Sequence, residues 1–231
     1  MTAQGYFIAG TDTGVGKTLV TGALLLHARA QGRSAIGLKP VAAGCTLAGG
    51  HLVNDDALLL QSLSSRAIDY ADVNPVALEP ALAPHIAAER AGTRLDATSL
   101  ATHVGRIVQG GHDVVLVEGA GGWLVPLNGR ETMADLAARI GWPVILVVGM
   151  RIGCLNHALL TASAIDRSGL GLAGWVANRV DPAMEAFDDN VRSLEQRLPG
   201  PRLGTVPYLG AAAAPAMVNT WLDGISLLGV R

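Results

Sequence analysis

The sequence predicts an α/β fold, with a mostly parallel central sheet flanked by helices on both faces. Apolar strand-length runs alternate with helix-length segments along the whole chain, the pattern of repeated right-handed βαβ units. Val114-Val-Leu-Val117 and Val144-Ile-Leu-Val-Val148 are continuously apolar rather than alternating, as central strands covered on both sides must be. Composition agrees. Half of the residues are apolar and 16% are charged, against about 25% charged in an ordinary soluble domain. Such a chain hides much of its surface, in a well-buried sheet and, beyond that, in an oligomer. Its 231 residues fit one large domain, spanning 1–231, better than two small ones.

Tyr6–Ala9 reads as the first strand, and Thr18–Ala30 follows it as a helix after a glycine-bearing turn. Ala35–Leu38 is the second strand, stopped by Pro40, which lacks a backbone donor and fixes the next turn. Asn54–Leu63 reads as a helix whose opening aspartates, Asp55 and Asp56, suit capping and the helix dipole. Asp96–Val108 is the next helix, joined through Gly110-Gly111 to the strand Val114–Val117. Met133–Ile140, Asn156–Ser168 and Ala186–Leu198 read as helices, alternating with the strands Val144–Val148, Gly174–Ala177 and Leu203–Val206. The Ala211–Ala214 run reads as a connector with helical character. In such a sheet, functional residues gather at the carboxyl ends of the strands.

Several function classes drop out on composition. The net charge is −2 with no basic run, so nothing marks a nucleic-acid footprint. Cys45 and Cys154 make no metal or disulfide spacing, which suits a reducing cytosol. No basic region precedes the first apolar stretch, and no apolar run approaches the ~20 residues of a membrane span. The expectation is a soluble, untargeted, cytoplasmic chain with no membrane partner.

The turn after the first strand carries the strongest chemical signal. Gly10-Thr-Asp-Thr-Gly14-Val15-Gly16-Lys17-Thr18-Leu19 joins a strand to a helix through glycines and ends in Gly-Lys-Thr. Glycines let successive backbone N–H groups turn inward, the lysine adds positive charge, and the threonine hydroxyl reaches a magnesium ion. The helix beginning near Thr18 places its positive dipole end beneath the anion. This is a P-loop, the signature of nucleoside triphosphate binding, with one departure. Five residues separate Gly10 from Gly16, where the usual spacing is four.

Three other strand ends present polar groups. Lys39 follows Ala-Ile-Gly-Leu and is either solvated or catalytic. Glu118 ends the Val-Val-Leu-Val strand before Gly119-Ala120-Gly121-Gly122, placed either to hold magnesium or its water, or to cap the glycine loop. Asn178 ends Gly-Trp-Val-Ala, where its amide reads a purine edge or merely begins a turn. One of Asp55 and Asp56 joins Thr18 and Glu118 as a hard oxygen ligand, unless both only cap their helix. The six histidines lack ligand spacing; His157, beside Asn156 and near Arg151, is the one to keep in view.

Taken together, the residues resemble the dethiobiotin synthetase family over nearly the whole chain. The matching blocks begin at Gly10 (Gly-Thr-Asp-Thr-Gly-Val-Gly-Lys-Thr), Lys39 (Lys-Pro-Val-Ala), Asn54 (Asn-Asp-Asp-Ala-Leu) and Val73 (Val-Asn-Pro). Further blocks begin at Pro84 (Pro-His-Ile-Ala), Val117 (Val-Glu-Gly-Ala-Gly-Gly), Gly153 (Gly-Cys-Leu-Asn-His-Ala) and Gly174 (Gly-Trp-Val-Ala-Asn). The family's own phosphate loop has five intervening residues, so the departure becomes support. The resemblance implies a P-loop NTPase-like fold and an ATP- and magnesium-dependent ring closure of 7,8-diaminopelargonate with carbon dioxide. A carbamate forms on one amine and attacks the γ-phosphate, giving a carbamic–phosphoric anhydride that the second amine closes. By position, Lys17, Lys39 and Thr13 match the family's catalytic set, and Thr18, Asp56 and Glu118 its magnesium set. Gly14–Leu19, Gly119–Gly121, Asn178 and Pro207-Tyr208-Leu209 match nucleotide-binding elements. Lys39, Ala43 and Gly153-Cys154-Leu155-Asn156 match substrate-binding positions. In this family the last segment reaches the substrate from the neighbouring subunit of a homodimer, with Asn156 as a helix N-cap or a substrate contact.

Two departures stand out. Family members often carry serine where this chain has Ala43, so a hydroxyl contact to the carbamate is absent. Many also carry glutamate at Gly14 and an acidic side chain after the Pro207 turn, where this chain runs through alanines. The rival reading is a nucleotide-switched partitioning or assembly ATPase of the same P-loop group. Those proteins place an extra lysine early in the loop, which Gly10–Val15 lacks, and often bear a basic or amphipathic tail, of which Trp221–Arg231 shows little. An amidotransferase-type ligase would need a glutaminase domain, for which the length leaves no space.

Overall fold

The computed structural model describes residues 3–222, so the Trp221–Arg231 tail lies almost wholly outside the described residues. The chain opens with β1 (Gln4–Gly10), α1 (Lys17–Ala30) and β2 (Ala35–Leu38). Three short strands follow, β3 (Val41–Ala43), β4 (Thr46–Ala48) and β5 (His51–Val53), then α2 (Asp55–Leu63), α3 (Tyr70–Val73), β6 (Val76–Leu78) and α4 (Pro84–Arg90). Regular alternation resumes with α5 (Ala97–Val108), β7 (Val114–Glu118), α6 (Met133–Ile140), β8 (Val144–Met150) and α7 (Cys154–Arg167). The described part closes with β9 (Leu172–Arg179), α8 (Phe187–Glu195), β10 (Arg202–Val206) and α9 (Pro215–Asn219).

Six strands form one all-parallel sheet in the order β10-β9-β8-β1-β7-β2. The first strand of the chain is therefore central, with Phe7 opposite Val117 on one side and Val144 on the other. Its continuous apolar run serves two cores. Phe7 and Ala9 face a cluster with Leu100 and Val104 of α5, Leu136 of α6 and Ile165 of α7. Tyr6 and Ile8 face a second cluster with Val20, Leu24 and Leu25 of α1 and Leu60 of α2. Each strand residue alternates between faces, and because helices cover both faces, both must be apolar.

The helices begin where capping chemistry dictates. Asn54 caps α2, its side chain accepting from the Ala57 N–H at 3.3 Å, and Asp96 caps α5 through the Ser99 N–H at 2.7 Å. Thr132 and Asp135 form a reciprocal capping box on α6. One expected start moves: α7 begins at Cys154, because Gly153 takes the cap position at φ 88°, a left-handed conformation that glycine adopts without strain. Asn156 is therefore three residues inside the helix and is not its N-cap. The expected helix at Ala186–Leu198 is shorter, Phe187–Glu195, and β9 runs from Leu172 to Arg179, longer than Gly174–Ala177. The alanine run makes only a 3₁₀ turn, Gly210–Ala212. Pro215 confines Ala214 to extended backbone, so the turn cannot continue. Among the described residues, no helix is long and apolar enough to cross a membrane.

The carboxyl ends of the strands converge on the turn between β1 and α1. Gly149 of β8 is where the sheet meets that turn: a Cβ there would lie 2.6 Å from Val15 Cγ1 and 3.0 Å from Val15 Cβ. A branched side chain tied to the turn has little freedom to retreat. Gly149→Ala should keep a cooperative fold, lose about 1–3 kcal/mol in chemical denaturation, and weaken nucleotide binding by lifting the turn. Unchanged nucleotide affinity would show that the turn does not rest on β8.

Candidate active site

The phosphate loop is tied to the sheet before it meets any ligand. The Thr11 N–H donates to the Val147 carbonyl at 3.0 Å, and the Gly149 N–H donates to Thr11 Oγ1 at 3.2 Å. The Asp12 side chain accepts from the Thr13 N–H at 2.7 Å and pairs with the Arg151 guanidinium just beyond β8. Gly16 caps α1 at φ 88° with no side-chain bond to the first turn. The opening N–H groups of α1 thus keep their capacity for an anion. Gly16 is required for a second reason: a Cβ would lie 2.3 Å from Asn178 Nδ2, which donates to the Val15 carbonyl at 2.8 Å.

Lys17 and Lys39 are both buried, at 7% and 6% exposed, and their charges are set differently. Lys17 donates to the Asp12 carbonyl at 3.1 Å. Burial, opposed in part by Glu118, lowers its pKa to about 8. For Lys39 burial also acts against the charge, but Glu118 and Asp56 outweigh it and hold its pKa above the ordinary lysine value. The Lys39 ammonium donates to Glu118 Oε1 at 2.8 Å and pairs with Asp56.

Glu118, 1% exposed, is the centre of the cluster. Besides Lys39 it accepts from Thr18 Oγ1 at 2.7 Å and from Thr21 Oγ1 at 3.0 Å. Thr21 lies one helical turn after Thr18, so both hydroxyls leave α1 on one face. Trp123 anchors the loop beyond Glu118, its ring edge-on to Phe7 with centroids 6.0 Å apart.

These groups form one wall of a cleft of about 940 Å³. Of the residues expected from the sequence, Thr13, Gly14, Gly16, Lys17, Thr18, Leu19, Lys39, Ala43, Asp56, Glu118, Ala120 and Gly121 line it. Val15 is buried beneath the loop, Asn178 clamps it from behind, and Gly119 sits against Phe7 and Met133. Two expected segments lie off the cleft. In Pro207-Tyr208-Leu209, Tyr208 is half exposed and Leu209 packs on the second core cluster. In Gly153–Asn156, Cys154 is buried and Asn156 exposed, next to Ile152, which is 93% exposed. The apolar lining was not anticipated: Leu59 of α2, Leu82, Pro84 of α4, Val125 and Pro215 of α9. Nor was the Asp12–Arg151 pair, whose members are 139 residues apart and meet only because β1 and β8 are parallel neighbours.

The donor set suits a hard cation. Glu118, Asp56 and Thr18 offer oxygen ligands at the phosphate end of the cleft, and oxygen is what magnesium takes. Among the described residues no three His, Cys, Asp or Glu side chains gather tightly enough to hold a metal alone. A magnesium ion here would complete its shell with phosphate oxygens and water.

Residues 4–216 match a family model described as AAA domain. ATP-dependent dethiobiotin synthetase of Pseudomonas paraeruginosa is 52% identical over 218 residues, covering 94% of this chain and 95% of that protein. The synthetase of the same name from Cellvibrio japonicus is 54% identical over 228 residues, covering 99% of each. The chain belongs to the ATP-dependent dethiobiotin synthetase family. Among solved structures, its fold resembles the septum site-determining protein MinD of Pyrococcus horikoshii OT3, complexed with Mg-ADP. That match has a TM-score of 0.58 at 19% identity and covers 97% of this chain and 87% of the other. Chloroplast FtsY from Physcomitrella patens matches with a TM-score of 0.53 at 20% identity, over 96% of this chain and 65% of the FtsY chain. At these identities the likeness is one of fold, the mostly parallel sheet with helices.

Lys17 supplies a pH signature. A triphosphate bound beside it would raise its pKa above the value of about 8 that burial imposes. The bound value is then the higher one, so affinity is full below pH 8 and falls as pH rises through it. Mg-ATP binding should take up protons at pH 8.5 and almost none at pH 7, read by calorimetry in buffers of different ionisation enthalpy. Binding without proton uptake at pH 8.5 would place the triphosphate away from Lys17.

Proposed function

We propose that this chain joins carbon dioxide to the two vicinal amines of 7,8-diaminopelargonate, consuming ATP and yielding dethiobiotin, ADP and phosphate. The observation that carries the reading is the Lys39–Glu118–Thr18 cluster, which sets a second buried ammonium beside the phosphate loop in a cleft that also has apolar lining. A simple ATPase needs Lys17; a carbamate that must meet a triphosphate needs a further cation, because two anions repel.

In the first step one amine adds to carbon dioxide and releases a proton, leaving a carbamate. A carbamate oxygen then attacks the γ-phosphorus, ADP leaves, and a carbamic–phosphoric anhydride remains. The second amine attacks the carbonyl carbon, phosphate departs, and the five-membered urea ring closes. Lys39, held charged by Glu118 and Asp56, serves as a fixed positive charge and not as a base. Lys17 and the opening N–H groups of α1 neutralise the phosphoryl oxygens, and Thr13 positions them. Thr18, Asp56 and Glu118 would hold magnesium, which neutralises charge on the phosphate oxygens. The apolar wall of Leu59, Leu82 and Val125 suits the methylene chain of the substrate. Ala43 offers only backbone there, so a main-chain group or water replaces the hydroxyl that family members often place at that position.

Asn178 and Pro207-Tyr208-Leu209, at the end of the sheet behind the phosphate loop, are the adenine-side residues in this reading. Gly153–Asn156 takes the distant carboxylate: the first turn of α7 has no side-chain cap, so its N–H groups form an anion site without a lysine. This segment lies off the cleft with Gly153 and Asn156 exposed, so it serves the site of a second copy. The working unit is then a homodimer with shared sites, acting in the cytoplasm, each subunit a single domain over 1–231.

Incubation with diaminopelargonate, bicarbonate and Mg-ATP should give dethiobiotin by mass spectrometry, and Lys39→Ala should lose turnover by roughly 10³-fold with little change in ATP affinity. No product, or equal loss of ATP affinity with turnover intact, would overturn the reading of the substrate or of Lys39. Light scattering should give a dimer, and Asn156→Leu should weaken diaminopelargonate binding while sparing ATP. A fully active monomer would overturn the shared site alone.

A further inference from the structure

Val73-Asn74-Pro75 lies outside the cleft, yet Asn74 is 3% exposed and its amide is engaged at both ends. Its Nδ2 donates to the Lys39 carbonyl at 2.7 Å and to the Val76 carbonyl at 3.2 Å, and its Oδ1 accepts from the Tyr70 hydroxyl at 3.0 Å. The Lys39 N–H in turn donates to the Val73 carbonyl at 2.8 Å. Both backbone groups of Lys39 are thus held by the α3 end, residues 73–74. The Tyr70 oxygen also accepts the Asn54 N–H at 2.8 Å. Asn54 is the cap of α2, and two residues on, Asp56 pairs with the Lys39 ammonium.

The bonds close a circuit: Lys39 backbone, Asn74, Tyr70, Asn54, the start of α2, Asp56, and back to the far end of the same lysine. We propose that Tyr70 and Asn74 are positioning residues for Lys39, fixing α2 against the β2 end so that Asp56 and Glu118 aim the ammonium at the transferring phosphoryl group. The inference rests on the assignment of Lys39 to catalysis made above. Lysine has four rotatable side-chain bonds, and a cation aimed at a transition state must be held before the reaction starts. Glu118 alone gives one direction; Asp56 gives the second, and its own place depends on where α2 begins. The Tyr70 hydroxyl bonds both the start of α2 and the segment gripping the Lys39 backbone. Every buried polar atom of the circuit has a partner, the condition under which such networks rigidify a site rather than weaken it.

The test uses the full chain. Tyr70→Phe removes one oxygen and keeps the ring, and should lower kcat by roughly tenfold or more, since displacement of a catalytic group by about 1 Å can cost 10² in rate. The KM values for Mg-ATP and for diaminopelargonate should stay within about twofold, the split expected of a contact that matters in the transition state. Asn74→Ala, which frees the Lys39 carbonyl, should lower kcat further. Ser34→Ala is the control at the opposite end of β2, where the Ser34 hydroxyl bonds Asp113 at 2.7 and 2.9 Å. It should shift the melting temperature as Tyr70→Phe does and leave kcat unchanged. Wild-type kcat in Tyr70→Phe, or an equal kcat loss in Ser34→Ala, would overturn the positioning role. If Asn74→Ala does not fold, Tyr70→Phe still decides. Full turnover in Lys39→Ala would remove the catalytic lysine and this inference with it, whereas an inactive Lys39→Ala beside a fully active Tyr70→Phe would overturn the positioning role only.

Discussion

The site depends on one carboxylate kept dry at the end of a central strand. Glu118 closes β7, which is hydrogen-bonded to β1 on one side and β2 on the other, and helices cover both faces of the sheet. An ionised carboxylate at such a place is tolerated only if partners replace its water. Here they come from three residues on two segments: Thr18 and Thr21 from α1, and Lys39 from beyond β2. Removing one member of a buried charged pair typically costs about 3–5 kcal/mol because the other is left uncompensated. The same need therefore pins the phosphate-loop helix, the β2 end and the β7 end to a common point. Substrate chemistry and fold stability share these bonds.

A second consequence is a division of labour between the two lysines. Lys17 has a carbonyl as its hydrogen-bond partner and is weakened by burial, so its charge is available to whatever anion arrives. Lys39 is held by two carboxylates and stays charged throughout. One lysine responds to the ligand and the other waits for it. Two similar residues acquire opposite behaviour from whether a carboxylate lies within bonding distance.

Much of this was legible in the sequence. Six long apolar runs announced the six sheet strands, since burial on both faces leaves a signal that no turn or surface segment imitates. The glycine turn and the polar strand ends announced the cleft because parallel sheets collect function at one edge. Apart from α2, less legible was the stretch from residue 41 to 90, which folds into strands of three residues and helices of four and seven. Elements that short hold no complete period, so their conformation is set by tertiary contacts. The apolar wall of the cleft comes partly from this stretch and was hidden with it. Asn156 was misplaced by three residues because a polar side chain and a left-handed glycine are rival caps, and only the backbone conformation tells them apart.

The central place of β1 has a consequence for how the protein is made. The phosphate loop is synthesised directly after β1, yet neither neighbour of β1 exists until β7 and β8 have been synthesised, more than a hundred residues later. Until then a fully apolar strand has two open edges, an invitation to pair with other chains. The part of the cleft lining from Ala213 and Pro215 is synthesised only after all six strands of the sheet. The motif that announces the enzyme is thus made long before its partners, and a nascent chain cut short anywhere before β7 carries the signature without a sheet to hold it. Long-range pairing of this kind slows folding, so the β1 edges stay open for as long as β7 and β8 take to arrive.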